Sequence, residues 1–501
     1  MKTMKYYISA LACFLLGSML YAQVAIDPVR NVYKIGGSSE IFISYTNKDG
    51  IHTSHGILDV STTLDSVSSV EEPFQTMHAD RMKTASATGD FNGDGAANVV
   101  TVSANDQMGI RISIPLIGED LTITGVKEYD IPLHEQDYTR IRVIAGNFDN
   151  DPLDEFVICY DLPDGLVIKL FKTDQDLNIE QIASYEGISH YDRNFDIAAG
   201  DVDGNGINEI VMVVNKDAPN RKPPVSNFLV ELISTYDLYI LIYNQDLGEL
   251  IIRRESKDIK LDNLVTESRQ NAGLTWHQWY YAERPTIMNE MRITCGDLNN
   301  NGRDDIVVGW SYYYSRHATR TCLKYHWLWG NCVTWSPTTY YYQNVTFLNT
   351  FQLQGDSIKN LQNISLPIND MGTRSTTSDQ HIAMTLKAEQ MDNLGRAVVL
   401  VNCPSSIHVF GKDDNDTLRK IAQVRPLSGL NLNLQGHETF AVADLNADTV
   451  GLNFNKELII LQSDKTPLQQ LNARYNGKTS IRIAEIDEIT ADTITFKPAE
   501  P

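Results

Sequence analysis

The chain has 501 residues, with 42 Lys and Arg against 64 Asp and Glu and a formal net charge of −22. That length can build a sizeable core as two or three ordinary domains or one large repeat assembly, and 42% apolar with 21% charged residues excludes general disorder. A sequence pI near 4.9 argues against nucleic acid or anionic membrane as a main partner, because phosphate binding needs clustered Lys and Arg.

Met1 to Gln23 reads MKTMKYYISALACFLLGSMLYAQ: Lys2 and Lys5, an apolar run from Ile8 to Leu20, then Tyr21-Ala22-Gln23. This is the layout of a secretory signal peptide occupying residues 1–22, and the run is too short for a membrane span. A lipoprotein reading through Cys13 fails, since Ala10 stands where Leu is usual and the apolar run continues past the cysteine. Cleavage after Ala22 removes Lys2 and Lys5 and takes the charge from −22 to −24. No later stretch is long and apolar enough to span a bilayer, so the expectation is an exported protein, secreted or held at the cell surface, with no transmembrane segment.

From residue 23 onward the informative signal is repetition. After a first strand pattern, SEIFISY near 40, come SATGDFNGDGAANVVTVS around 90, IAGNFDNDPLDEFVICY around 147, IAAGDVDGNGINEIVMVV around 201 and ITCGDLNNNGRDDIVVGW around 297. A looser copy, AVADLNADTVGLNFNKELIIL, surrounds 444, and a degraded one, LKAEQMDNLGRAVVLV, lies near 389. The intervals 90–147, 147–201 and 389–444 are 57, 54 and 55 residues, and 201–297 and 297–389 stretch to 96 and 92. After the 147 loop four strand-like runs follow (FVICY, GLVIKLFK, NIEQIASY, FDIAAG), and after 389 another four (AVVLVN, SIHVFGK, LRKIAQV, TFAVAD). Four strands per 40–60 residues is the pattern of a β-propeller blade. The expectation is therefore an all-β chain, one propeller over 23–501. Counting from SEIFISY gives seven blades, six or eight being compatible with the same spacing, with insertions near 215–232, 262–290 and 315–340. TSIRIAEID and DTITF at the C-terminus are placed to close the ring against the N-terminal strands.

The loops carry the chemistry. Numbering the first from Asp90, the side chains of Asp90, Asn92, Asp94 and Asn98 fall at positions 1, 3, 5 and 9, and Ala96 at position 7 can turn its carbonyl inward. Oxygen donors without sulfur or imidazole describe a hard-cation site of Ca²⁺ type. Gly93 and Gly95 permit the positive φ angles of such a turn. The 201 loop offers Asp201, Asp203, Asn205, Ile207 and Glu209, and the 297 loop Asp297, Asn299, Asn301, Arg303 and Asp305. In the weaker 147 loop, Asn147, Asp149, Asp151, Leu153 and Glu155 supply oxygens, but Pro152 replaces a glycine. Asp444, Asn446 and Asp448 begin a further site, its last acid displaced to Glu457, and no metal is expected at Gln390, Asp392 and Leu394. The β-branched runs after the loops rule out a helix–loop–helix calcium hand. Each loop is one short local segment, which suits structural calcium over a catalytic ion.

At GDFNGDGAANVV, GDVDGNGINEIV and GDLNNNGRDDIV the chain resembles the FG-GAP/VCBS repeat family. The resemblance implies an integrin-α-like propeller with calcium in its blade loops at the positions named. It brings no function, since the family includes adhesins, lectin-like modules, toxin components and domains attached to enzymes.

All six tryptophans, Trp276, Trp279, Trp310, Trp327, Trp329 and Trp335, fall within sixty residues, beside Tyr280, Tyr281, Tyr312–Tyr314 and Tyr340–Tyr342. Such rings suit a recognition surface for a glycan or protein, built on Trp276, Trp279, Tyr313, Trp327, Trp329 and Trp335. They equally suit a mini-core that hides the inserts' own apolar surface. Cys322 and Cys332 flank LKYHWLWGN, a hairpin-like segment where a local disulfide fits an exported protein, while Cys159, Cys295 and Cys403 read as buried thiols. No HExxH, GxSxG, P-loop or dinucleotide turn stands in a supporting context. No catalytic residue is therefore expected, and a binding or adhesion module is the first reading. The alternative is a carbohydrate-active hydrolase or lyase whose carboxylates come from separate blades.

Overall fold

The structure is a computed structural model. Outside its described residues lie 1–23, 31–38, 47–51, 59–72, 76–82, 106–108, 118–122, 133–139, 191–193, 216–219, 222–231, 234, 261–277 and 283–284. So do 326–331, 336–338, 366–383, 391–395, 404–405, 414, 425–439, 444–456, 462–480, 491–492 and 499–501. The side chains of the first and last sheets and of most of the aromatic inserts are outside as well. The signal-peptide segment and the 444 loop thus fall beyond the description.

Every regular element among the described residues is a β-strand. Sheet 1 holds Val24–Arg30, Ser39–Thr46, His52–Leu58 and Pro73–Gln75; sheet 2 holds Lys83–Gly89, Asn98–Asn105, Gly109–Ile117 and Ile123–Ile131. Sheet 3 comprises Ile141–Gly146, Glu155–Leu162, Gly165–Thr173 and Ile179–Ile188, and sheet 4 Phe195–Gly200, Glu209–Asn215, Thr235–Asn244 and Glu249–Lys260. Sheet 5 is six-stranded: Pro285–Gly296, Asp305–Tyr325, Thr339–Gln354 and Ser357–Ser365, extended by Gln278–Ala282 and Cys332–Trp335. Sheet 6 has Leu386–Gln390, Ala397–Cys403, Ser406–Lys412 and Leu418–Val424, and sheet 7 Phe440–Ala443, Glu457–Leu461, Ile481–Thr490 and Thr493–Pro498. All pairings are antiparallel, and the four-stranded sheets follow chain order as meanders, whereas in sheet 5 the long strand Asp305–Tyr325 pairs with four others. A small ribbon, Asn220–Arg221 with Leu232–Ile233, sits in the first insertion.

Successive sheets pack face to face, and the residue pattern says why. Along Glu155–Leu162, Phe156, Ile158 and Tyr160 join a core shared with sheet 2, whereas Val157 and Cys159 point into one shared with sheet 4. Glu209–Asn215 divides likewise, with Ile210, Met212 and Val214 toward sheet 3 and Val211 and Val213 toward sheet 5. A strand buried on both faces reads as an unbroken apolar run, and FVICY and IVMVV are such runs. The first strands of sheets 1 to 6 lie side by side in order, and the first strand of sheet 7 lies beside that of sheet 1. A polar ladder joins these strands: Arg142 Nε donates to Asp196 Oδ1 at 2.6 Å, Asp196 Oδ2 accepts the Ile293 N–H at 3.0 Å, and Arg292 Nε reaches the Met384 carbonyl at 2.8 Å.

Candidate metal centres

Each loop joins the first and second strands of its sheet, and in sheets 2 to 5 the strand register fixes the same frame. Gly89 pairs with Asn98, Gly146 with Glu155, Gly200 with Glu209 and Gly296 with Asp305, so the residue before position 1 always faces position 9. Position 2 is an apolar anchor absent from the oxygen pattern: Phe91, Phe148, Val202 and Leu298 are all buried. Its N–H is held by the position 9 side chain, Phe91 to Asn98 Oδ1 at 3.0 Å, Phe148 to Glu155 Oε2 at 2.8 Å and Val202 to Glu209 Oε2 at 3.0 Å.

The positive φ angles fall where the glycines predicted them. Position 4 has φ of 74° at Gly93, 66° at Asn150, 78° at Gly204 and 57° at Asn300; position 6 has 82° at Gly95, 87° at Gly206 and 75° at Gly302. In these last three, the position 6 N–H donates to position 1 Oδ2: Gly95 to Asp90 at 3.0 Å, Gly206 to Asp201 at 2.8 Å and Gly302 to Asp297 at 2.7 Å. Pro152 has neither the φ nor the N–H, and the 147 loop is rebuilt around it. There Asn147 Oδ1 still accepts the position 4 N–H, that of Asn150 at 2.7 Å, as Asp90 and Asp201 Oδ1 do, but Asn147 Nδ2 donates to the Asp151 carbonyl.

Neighbouring loops are clamped together through position 8. The N–H of Asp154 donates to the Asp90 carbonyl at 2.9 Å, that of Asn208 to Asn147 at 2.8 Å, that of Asp304 to Asp201 at 2.8 Å and that of Ala397 to Asp297 at 2.7 Å. The side chains answer, since Asp154 Oδ2 accepts the Asp90 N–H at 2.8 Å, Asn208 Oδ1 that of Asn147 at 3.1 Å and Asp304 Oδ2 that of Asp201 at 3.0 Å. The glycine before each loop makes room for this belt. A Cβ on Gly146 would stand 2.8 Å from Asn208 Oδ1, and one on Gly200 would overlap the Cys295 side chain.

Two carboxylate triads, Asp149–Asp151–Glu155 and Asp201–Asp203–Glu209, each hold ligand oxygens within 4.8 Å of one another. Bases approach them. Lys172 Nζ lies 2.7 Å from Asp149 Oδ2, in contact with Asp151 and 3.8 Å from Glu155 Oε1. Arg253 Nη1 touches Asp203 and sits 3.0 Å from Glu209 Oε1. In the 297 loop Asp305 Oδ1 takes Lys412 at 2.9 Å and Gln352 at 2.7 Å. Two of its ligand-position oxygens, Asp305 Oδ2 and Asn299 Oδ1, are buried with no hydrogen-bond partner. Near the 90 loop, no ion pair is seen to Asp90 or Asp94 among the described residues.

Burial pushes Glu155 up to about 8 despite the Phe148 N–H it accepts, and burial with Asp203 beside it pushes Glu209 up to about 7. Asp304, buried beside Asp201, rises to about 6. Against its own burial, bonds to Asp149 and Asp151 hold the Lys172 ammonium above the ordinary lysine range. All four loops therefore concentrate oxygen ligands, and a base (Lys172, Arg253 or Lys412) reaches the carboxylates of three of them. A cavity of about 340 Å³ lies between the 147 and 201 loops, lined by Asp149, Asn205, Glu209, Tyr243, Gln245 and Arg253.

The aromatic inserts come together as backbone. Gln278–Ala282 pairs with the far half of Asp305–Tyr325, setting Trp279 opposite Arg320, while Tyr313 faces Asn344 on one side and Ile287 on the other. Trp310 belongs to the core instead, 4% exposed and stacked on Phe347 with ring centroids 5.5 Å apart. Trp276, Trp327 and Trp329 lie outside the described residues, as do the side chains of Trp279, Tyr313 and Trp335. Cys322 stands opposite Trp335 and Cys332 opposite Tyr325, so the two cysteines are offset by three positions along the ladder. Cys159 and Cys295 are free thiols, and burial keeps both from ionising. No helix of the described residues is long and apolar enough to cross a membrane.

No protein-family model matches the chain, and no curated protein does. Among solved structures it is similar to the Nup133 β-propeller domain of Vanderwaltozyma polyspora, at 10% identity over 90% of this chain and 97% of that one, TM-score 0.42. It is also similar to an Agrocybe aegerita protein that recognises non-reducing terminal N-acetylglucosamine, at 11% identity over 94% and 93% of the chains, TM-score 0.35. A third is the rhamnogalacturonan lyase of Bacillus licheniformis, at 11% identity over 94% of this chain and 67% of that one, TM-score 0.34. Likenesses this distant transfer neither ligand nor activity.

Proposed function

We propose that the protein is a secreted, calcium-stabilised β-propeller of seven blades, one per sheet, that acts as a binding or adhesion module for a glycan or an extracellular protein. The observation that carries the calcium is the pair of orphaned oxygens in the 297 loop. Asn299 Oδ1 and Asp305 Oδ2, at positions 3 and 9, are withdrawn from water and given no donor. An unpaired buried acceptor costs about 1–3 kcal/mol, and a hard cation removes that cost at both. The 90 and 201 loops repeat the frame with Asp90, Asn92, Asp94 and Asn98, and with Asp201, Asp203, Asn205 and Glu209. When bound, the ion supplies positive charge at the mouth of each hairpin. The chain's own residues do the rest: position 1 accepts the turn N–H groups, and position 8 ties each loop to the sheet before it.

The ligand surface is assigned to the extension of sheet 5, where Trp279, Tyr313 and Trp335 share one ladder system and Trp276, Trp327 and Trp329 lie in the adjoining segments. Equilibrium dialysis with metal analysis, paired with melting in calcium and in EDTA, tests the first half. Retained calcium and a lower melting temperature in EDTA are expected, and no retained calcium with identical melts would end the reading. A glycan array probed with and without chelator tests the second half, with binding expected to vanish in Trp327→Ala and Trp329→Ala at unchanged melting temperature.

A further inference from the structure

The 147 loop departs from its three companions at positions 1 and 6 and in the base that reaches its whole carboxylate triad. We infer that its cation is Lys172, the ammonium taking the place that calcium takes elsewhere. This rests on the calcium reading of the sister loops, and it replaces the sequence expectation of calcium at Asn147, Asp149, Asp151, Leu153 and Glu155.

Position 1 is the first departure. In the 90, 201 and 297 loops it is an aspartate, and here it is Asn147, whose Oδ1 accepts the position 4 N–H as Asp90 and Asp201 do, but whose amide nitrogen, in place of a second carboxylate oxygen, is spent on the Asp151 carbonyl. It presents a bound donor where a metal needs an oxygen. Position 6 is the second: Pro152 cannot take the positive φ of Gly95, Gly206 and Gly302, nor donate their bond to position 1.

Lys172 then completes the picture. It is the penultimate residue of the third strand of the same sheet, and the register, which pairs Phe156 with Phe171, brings it opposite Glu155. Its Nζ meets all three carboxylates of the triad, 2.7 Å from Asp149, touching Asp151 and 3.8 Å from Glu155. Glu155 is 0% exposed, its Oε1 accepts no hydrogen bond among the described residues, and the positive charge set against that oxygen is the Lys172 ammonium at 3.8 Å. An ammonium is a compact point charge with three donors, which suits three converging carboxylates. Arg253 at the 201 loop is not equivalent. It arrives from the fourth strand, reaches Asp203 and Glu209 only, and leaves Asp201 in its turn geometry with the Gly206 N–H.

The test uses the full chain. Calcium retained after dialysis against excess free calcium is counted for the wild type, Lys172→Gln and Asp151→Asn. Equal counts are expected for all three, since Asn147 and Pro152 still bar an ion once the ammonium is gone. A loss of one equivalent in Asp151→Asn would show calcium already in this loop and overturn the inference while leaving the calcium reading intact. In EDTA, Lys172→Gln should melt below the wild type and Lys172→Arg close to it. A Lys172→Gln melt identical to wild type in EDTA also overturns the inference. A wild type that retains no calcium would sink the calcium reading instead, and the EDTA melts would still decide the role of Lys172.

Discussion

Asp304 occupies the eighth position of its loop and works for the neighbouring sheet. Its N–H and its Oδ2 grip the carbonyl and the N–H of Asp201, 103 residues earlier in the chain. Asn208 makes the same pair of bonds to Asn147, which shows that the clamp needs an acceptor and not a charge. Asp304→Asn should therefore melt near the wild type, whereas Asp304→Ala leaves the half-buried Asp201 N–H unpaired and should cost about 1–3 kcal/mol by chemical denaturation. Equal losses in the two variants would show that the carboxylate charge matters after all. This clamp was illegible in the sequence, because nothing local distinguishes a position 8 acid from the ligand acids on either side of it. The converging turn itself was legible, since alternate oxygens with glycines between them describe it without reference to any other part of the chain. The buried position 2 residues were present in the text as DF, NF, DV and DL, a signal that periodicity analysis of the acids alone passes over.

At the scale of the strand and its loop, burial and chemistry pull in opposite directions. Position 9 begins the second strand, so Glu155, Glu209 and Asp305 are drawn below the surface by their own sheets. Glu155 near 8, Glu209 near 7 and Asp304 near 6 all stand above their unfolded values, so the metal-free native chain holds more protons than the unfolded one from about pH 4 to 8. Stability in EDTA should therefore fall as pH rises through that window, and calcium, which favours the ionised carboxylates, should flatten the fall. Urea midpoints at pH 5 and pH 8, with and without calcium, read this directly. Glu209→Gln should reduce the slope in EDTA, and a slope that rises with pH in the wild type would refute the account. The strands were the readable part of these elements. FVICY, GLVIKLFK, AVVLVN and SIHVFGK all appear as strands, because a segment buried mostly on both faces is dominated by apolar letters. FDIAAG, taken with the strands after the 147 loop, is the first strand of the next sheet, which is the offset expected when each loop joins the first two strands of a sheet. The bases Lys172, Arg253 and Lys412 could not be read from the loop text, as they stand on other strands and arrive only through register.

Across the whole molecule, stability is divided between two kinds of contact. Among the described residues the hydrophobic clusters lie between successive sheets rather than within any one of them, so sheets 3 and 4 each contribute one face to the core before and one to the core after. The loop belt runs along one end of the same stack and crosses the same interfaces, from Asp154 to Asp90, Asn208 to Asn147, Asp304 to Asp201 and Ala397 to Asp297. A cation held in a loop as proposed would thus brace the joint between two sheets, where the chain has no covalent link except a single connection. In a stack whose units touch only their neighbours, removing such a brace loosens joints locally before it unfolds strands. Hydrogen exchange on chelation should accordingly speed up at the N–H groups of Asp90, Asp201 and Asp304, which lie in the belt, and leave Val157 and Val211 in the central strands protected. The 147 joint, neutralised by Lys172, should respond least, so the Asn208 N–H serves as an internal control. Uniform loss of protection across belt and strands would mean that the ions hold the whole fold in one cooperative unit, and unchanged exchange everywhere would mean that the belt carries no share of the stability.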